Sequence, residues 1–218
     1  MLVLIQARSS SARFKNKVLH SIYGEPLIWH VINKINKSKN KIKLIVATSK
    51  HESDDKLVRY LKLQNIDFYR GSLNNVALRL YNAAKKFKSN KFVRISGDSP
   101  LFDTKLLDKA LLIEKKLKSF DLITNIFPRS FPSGQSIEII KTSIIRKYLY
   151  KFNSRDKEHV TTFFYRNNKN FIIRNFVTCN KTKTNNLKLS IDTKKDLYEI
   201  KKRINKKNFL NFKLKLNF

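Results

Sequence analysis

Acidic residues are scarce in this chain. Its 218 residues carry 16 Asp and Glu against 47 Lys and Arg, a formal net charge of +31. Cysteine is scarcer still. Cys179 stands alone, which excludes an intramolecular disulfide framework and suits a reducing compartment. No stretch reaches the roughly 18 consecutive apolar residues of a membrane span. The first apolar run is cut at Arg8, too short for a signal-peptide core. Internal repeats and a clear linker are also missing. These absences predict a soluble, cytoplasmic protein with no membrane partner. What is present suffices for a core. Hydrophobic residues make up 41%, which argues against global disorder, and the length suits one domain over 1–218.

Such an excess of cations attracts polyanions: nucleic acid, an anionic membrane or a phosphorylated substrate. The lysines, however, are spread from end to end among many asparagines and isoleucines. That pattern reads as a proteome-wide compositional bias. A nucleic-acid surface would interleave clustered cations with exposed aromatics, and here the aromatics fall largely in apolar runs. No specific nucleic-acid partner is expected.

Strand-like runs alternate with helical patterns. Strands are predicted at Leu2–Gln6, Ile42–Thr48, Asp67–Tyr69, Phe92–Ser96 and Asp121–Thr124. Between them, Leu27, Ile28, Val31, Ile32 and Ile35 share a helical face. So do Leu57, Val58 and Leu61; Val76, Leu80, Ala84 and Phe87; and Leu106, Leu107, Ala110, Leu111 and Leu117. The alternation predicts an α/β fold, a mostly parallel sheet sandwiched by helices. Pro26 suits a first helical turn, and Ser53 with two aspartates behind it resembles a cap. After Asn125 the rhythm changes. FPRSFPSGQ (Phe127–Gln135) holds two of the four prolines and one of the four glycines. Further strands are expected at Ser136–Lys141, Phe171–Val177 and Leu187–Ile191, and helices near Thr142–Phe152, Arg155–Asn167 and Thr193–Ile204. The last residues, FLNFKLKLNF, alternate with period two, which predicts a terminal strand or an oligomer contact, as in a homodimer.

Ligands of an open parallel sheet bind beyond the carboxyl ends of its strands. The loop after the first strand, from Ala7 to Lys17, therefore lies over that edge. Its Arg8, Ser11, Arg13 and Lys17 offer charged and hydroxyl donors, with loop amides beside them, and suit a triphosphate. In VRISGDSPL (Val93–Leu101), Asp98 reaches the same edge. A carboxylate facing a polyphosphate suggests a divalent cation between them, so Asp98 is a Mg²⁺ ligand candidate, or else an ordinary turn residue. In LSIDTKKDL (Leu189–Leu197), Asp192 is either a second ligand or, with Thr193, a helix cap.

The stretches IQARSSSARFKNKVL, GEPLIWHVI, IVATS, YRGSLNNVALR, VRISGDSPLFD, SGQSIEII, KEHVTTFFY and IDTKKDL stand in an order that resembles the cytidylyltransferase family. That family includes spore-coat polysaccharide biosynthesis proteins and, more distantly, the CMP-sialic acid and CMP-Kdo synthetases. The resemblance covers about residues 2–204. It implies a nucleotide-diphospho-sugar transferase (Rossmann-like) fold, CTP as substrate and Mg²⁺ held by Asp98 and Asp192. Arg8, Ser11, Arg13 and Lys17 inherit the triphosphate, with Arg8, Lys17 and Asp98 carrying catalysis. Gly71 and Ser72, after a strand, and Arg79, on a helix, are placed to approach the nucleotide, although a surface salt bridge suits Arg79 equally. The sugar site is expected around Gln135 and Glu138, and a sugar-binding or dimerisation subregion at about 126–180. Glu158 and His159 would lie beside the sugar pocket or a dimer contact. Two departures stand out. The usual R-x-P-G-K loop reads Arg13, Phe14, Lys15, Asn16, Lys17, with Asn16 expected to tolerate the left-handed turn. The G-x-D-x-E motif has Ser136 in place of its aspartate.

The implied reaction joins CMP from CTP to a sugar acid and releases pyrophosphate, for surface polysaccharide. A glycosyltransferase that consumes a nucleotide sugar is the rival on the same fold, but it would normally show a D-x-D motif at a strand end, and GDSP is not one.

Overall fold

The computed structural model describes residues 1–11, 13–178 and 187–214, so Cys179 lies outside the described residues. Strand β1 (Leu2–Gln6) runs through a seven-stranded sheet, parallel to β4 (Lys43–Ser49) on one side and β6 (Lys91–Ser96) on the other. β5 (Phe68–Gly71) lies outside β4. Beyond β6 come β8 (Glu138–Lys141), β7 (Leu122–Thr124) and β9 (Ile173–Asn175). Only β8 runs against the rest of this sheet. A separate ribbon pairs β2 (Ser21–Ile22) with β3 (Glu25–Pro26).

The unbroken apolar run of β1 follows from burial on both faces. Val3 and Ile5 enter one core with α1 (Leu27–Asn36), α4 (Thr104–Lys116) and α8 (Lys194–Arg203). Leu2 and Leu4 enter the other with α3 (Val76–Lys86), α5 (Thr142–Tyr148) and α7 (Thr162–Arg166). Each such side chain, removed from water, contributes about 1.5–3 kcal/mol. The mostly parallel α/β architecture is the one the periodicity predicts. Among the described residues no helix is long and apolar enough to cross a membrane.

Four local expectations are corrected. The helix expected over Arg155–Asn167 is two short ones, α6 (Ser154–His159) and α7, broken at Val160. Val160 has φ 51° and ψ −55°, and the Thr161 N–H donates to the His159 carbonyl at 2.5 Å, a strained γ-turn. The stretch Leu187–Ile191 pairs only through an isolated bridge from Lys188 to Ser133. Its Leu189 and Ile191 N–H groups donate to Ser133 and Asp98, on two different loops, so no ladder forms. The alternating tail begins as a helix, α9 (Lys206–Leu210), because Asn205 caps it and Phe209 is buried; residues 215–218 lie outside the described residues. Finally, Ser53 does not cap α2 (Asp55–Leu63); its own N–H is capped by His51 in a preceding 3-10 turn.

Lys34 on α1 straps this C-terminal segment. Its ammonium is buried and donates to the carbonyls of Leu210 and Phe212 at 3.0 and 2.9 Å. Burial, aided by Lys37, pulls it from 10.5 down to about 8. Between those two values the unfolded chain binds the extra proton, so Lys34 adds stability as pH rises through that window. The melting temperature of the parent should therefore gain on that of Lys34→Met as pH is raised from about 8 to 10.5. A difference that stays flat would show that Lys34 titrates normally.

Candidate active site

Gln6 of β1 is in register with Ala47 of β4 and Ser96 of β6, so the loops leaving these strands emerge at one level. Because β8 is reversed, its first residue, Glu138, lies at that same edge, opposite Arg94. The loop after β1 is held from below by Asp54. This buried carboxylate accepts the Ser9 N–H at 2.6 Å and the Ser49 N–H at 3.0 Å, tying the loop to the end of β4. Asn16 takes the left-handed conformation, φ 57° and ψ 22°, and its N–H donates to the Ser9 carbonyl at 2.8 Å. Phe14 is buried edge-on against His20. The turn thus closes without a Pro-Gly pair, on the residue type that best tolerates it after glycine.

Ala7, Arg8, Ser11, Arg13 and Lys17 of this loop line a cleft of about 290 Å³. Arg79 from α3, Asp98 from the loop after β6, Glu158 and His159 from the end of α6, and Asp192 complete its wall. At its centre is the Lys17 ammonium. It donates to Asp98 Oδ2 at 2.9 Å, to the Ile191 carbonyl at 3.0 Å and to Asp192 Oδ1 at 3.3 Å. Arg13 reaches Asp192 at 3.4 Å and Lys188 reaches it at 3.1 Å. Burial alone would raise the Asp192 carboxyl, but Lys17 and Lys188 override it and hold the group below the usual range. Arg8 pairs with Glu158 at 2.8 Å, joining the loop to α6.

The cap question at α8 has a definite answer. Thr193 caps the helix and Asp196 closes the capping box, while the Asp192 N–H merely donates to Asp196. The Asp192 carboxylate is left to face the cleft. It and Asp98 converge on one point, the Lys17 nitrogen. Among the described residues no group of three or more His, Cys, Asp or Glu is placed to hold a metal alone. Two carboxylates that share a cation, beside a loop of cationic and hydroxyl side chains, suit Mg²⁺, which is usually bound by one or two carboxylates together with substrate phosphates.

Arg79 is no surface residue. It is 1% exposed, and burial pulls it down to about 10, still charged at neutral pH. One of its terminal nitrogens donates to the Ser72 carbonyl at 2.7 Å, while its Nε lacks a partner. The Ser9 and Ser10 hydroxyls are likewise buried and unpartnered. These orphan donors, within and beside the loop, suit an anionic ligand. Gly71 and Ser72 themselves face a separate depression with Lys50 and His51. Their part is to seat Arg79: a Cβ on Gly71 would lie 2.9 Å from Arg79 Cγ. Gln135 is also set apart from the cleft. It is fully buried, its amide accepting from the Asp103 N–H and donating to the Leu101 carbonyl. Glu138 is buried behind the wall, where it accepts from the Thr161 and Tyr165 hydroxyls at 2.6 Å each.

Glu138 also pairs with Arg94, which lines the cleft and donates to Gln6 Oε1 at 2.8 Å. Arg94 escaped the sequence reading. Its signal was there: an arginine between Val93 and Ile95 inside a buried strand needs a carboxylate partner or a ligand. Ser136 accepts from Arg129 at 3.1 Å.

Gly97 is where the loops after β1 and β6 touch. A Cβ there would lie 2.9 Å from both Ala7 Cβ and the Gln6 carbonyl oxygen. Gly97→Ala should cost about 1–3 kcal/mol of stability by overpacking and weaken CTP binding by displacing Asp98. Thermal melting and calorimetric titration check both, and a variant that melts and binds like the parent would show that the two loops are free to separate.

The family model described as cytidylyltransferase matches residues 2–214. An uncharacterised protein of Methanocaldococcus jannaschii, MJ1063, is 33% identical over 197 residues, 88% of this chain and 78% of that protein. The spore coat polysaccharide biosynthesis protein SpsF of Bacillus subtilis is 26% identical over 207 residues, 92% of this chain and 85% of its own. Among solved structures, a cytidylyltransferase from Leptospira borgpetersenii superposes with TM-score 0.83 at 24% identity, covering 99% of this chain and 98% of that one. The sheet and helices are thus those of the nucleotide-diphospho-sugar transferase fold. Matched from its first strand to the segment beyond α9, the chain belongs to the cytidylyltransferase family of CTP-dependent nucleotidyltransferases.

Proposed function

We propose that this protein transfers CMP from CTP to the hydroxyl of a sugar acid, releasing pyrophosphate, in the cytoplasmic supply of a surface polysaccharide. The observation that carries this reading is the convergence of Asp98, Asp192 and Lys17 under the arginine- and serine-bearing loop. The name of SpsF, spore coat polysaccharide biosynthesis protein, supports the polysaccharide role. A CMP-2-keto-3-deoxy-manno-octonic acid synthetase solved in complex with CTP shares the fold at TM-score 0.70 and 15% identity, which supports CTP and a sugar acid as the pair.

The sugar oxygen attacks the α-phosphorus. A new O–P bond forms, the α–β anhydride bond breaks with its electron pair going to pyrophosphate, and the hydroxyl proton passes to solvent. Little covalent work falls to the protein; it positions the reactants and balances charge. Arg8 exchanges Glu158 for a phosphate oxygen, and Arg13 and Lys17 leave Asp192 to face the pyrophosphate. Asp98 and Asp192 are the residues that would hold Mg²⁺, which supplies Lewis-acid charge neutralisation. Glu138 keeps Arg94 aimed at the acceptor side of the cleft.

The test is pyrophosphate release with Mg²⁺, each of the four NTPs and a panel of nonulosonic and other sugar acids. CTP with one sugar acid should stand out. Release with no sugar acid, or equally with ATP or UTP, would overturn the reading.

A further inference from the structure

A second and larger groove, of about 770 Å³, opens at the opposite end of strand β6. Lys91 begins that strand and is paired across the ladder with Lys141, which ends β8. Lys85 and Lys88 come from the end of α3, Lys118 from just past α4, and Arg146 from α5. The only carboxylate among the lining residues is Glu114, and Lys91 takes it at 2.5 Å. The nearby Asp121 carboxylate is turned away, accepting the Ile172 N–H at 2.9 Å. Lys85, Lys88, Lys118, Lys141 and Arg146 thus face one cavity with no carboxylate partner among the described residues.

Helix ends explain part of this charge. Lys85 and Lys88 lie at the C-terminus of α3, where cations are favoured. Arg146, in the last turn of α5, shares that reason, but Lys141 does not, since it immediately precedes the start of α5. Holding five like charges around one cavity costs free energy unless a counter-ion answers them. The volume falls in the range of about 300–1,000 Å³ typical of small-ligand sites. The aromatic wall offers no stacking platform: Phe120 is 4% exposed, with the Lys141 ammonium 5.4 Å from its ring centre. The chemistry on offer is for anionic oxygens, not for a base.

We propose that this groove is a second anion site that binds an oligophosphate, a small ligand with three or more phosphate-type charges, away from the catalytic cleft. The site is independent of which sugar acid the enzyme uses.

The test titrates inorganic tripolyphosphate, without Mg²⁺, into the parent, into Lys141→Gln/Arg146→Gln and into Arg8→Ala/Lys17→Ala, with thermal melting as a check on folding. The parent should bind at two sites. The groove variant should lose one of them, by at least tenfold in affinity, and keep the parent's rate of pyrophosphate release. The cleft variant should keep the groove site, and it does so whether or not the cleft binds CTP, so the two readings fail separately. Equal stoichiometry and affinity in the parent and the groove variant would overturn the proposal. So would a short single-stranded oligonucleotide displacing tripolyphosphate with far higher affinity at physiological salt, since the occupant would then be nucleic acid.

Discussion

Asp192→Asn is expected to lose pyrophosphate release by on the order of 100-fold or more, the scale on which metal sites respond to changes in their ligand shell, while the protein remains folded. The expectation is sharp because the cap is elsewhere. Thr193 and Asp196 close the N-terminus of α8, so asparagine at 192 removes a charge and disturbs no helix end. The stability change should stay within about 1 kcal/mol, as for other partly exposed ion pairs. Asp98→Asn should behave alike, and the double variant should lose far less than the product of the two effects, because groups acting on one ligand are not additive. Turnover measured against Mg²⁺ concentration for the three variants decides it. If Asp192→Asn matches the parent in rate and Mg²⁺ response, the two-carboxylate site is wrong.

Lys17→Met should produce two opposite changes. The Lys17 ammonium occupies the point on which Asp98 and Asp192 converge, so it competes with any cation bound there. Without it, Mg²⁺ should bind the nucleotide-free protein more tightly than it binds the parent. CTP affinity should fall by about 10- to 100-fold, the loss of one charge-assisted contact worth about 1.5–3 kcal/mol. The acid limb offers a third readout. The depressed Asp192 carboxyl stabilises the fold above its unfolded value and loses that contribution as pH falls through its folded one. Removing Lys17 raises the folded value, so acid unfolding should move to higher pH. Calorimetry with Mg²⁺ alone is decisive: an affinity equal to the parent's would mean that Asp98 and Asp192 do not form a cation site.

The parallel half of the sheet was legible because its strands are buried on both faces and its helices carry continuous apolar stripes. The loop residues Arg8, Ser11, Arg13 and Lys17 were legible for a related reason: a strand ending at Gln6 must deliver whatever follows to the ligand edge. What escaped depends on tertiary partners. Asp54 looked like part of a cap, yet it is the anchor of the first loop, through Ser9 some 45 residues away in sequence. Leu187–Ile191 has strand composition but finds carbonyls on two different loops. The family resemblance places Gln135 and Glu138 around the sugar site, but their polar atoms are already committed to Asp103, Leu101, Thr161 and Tyr165. Phe209 could serve an alternating strand or a helix, and its burial under α9 decided for the helix.

The left-handed residue at Val160 acts as a phase shifter. Each residue of an α-helix turns the chain by about 100°, so one residue outside helical geometry resets the rotation of everything after it. Through that reset, Glu158 and His159 face the cleft while Thr161 reaches Glu138 and Phe163 and Phe164 enter the core. A point substitution at 160 changes one buried side chain. Inserting or deleting a residue there would instead rotate the whole of α7 away from its partners, so this position should tolerate changes of identity far better than changes of length.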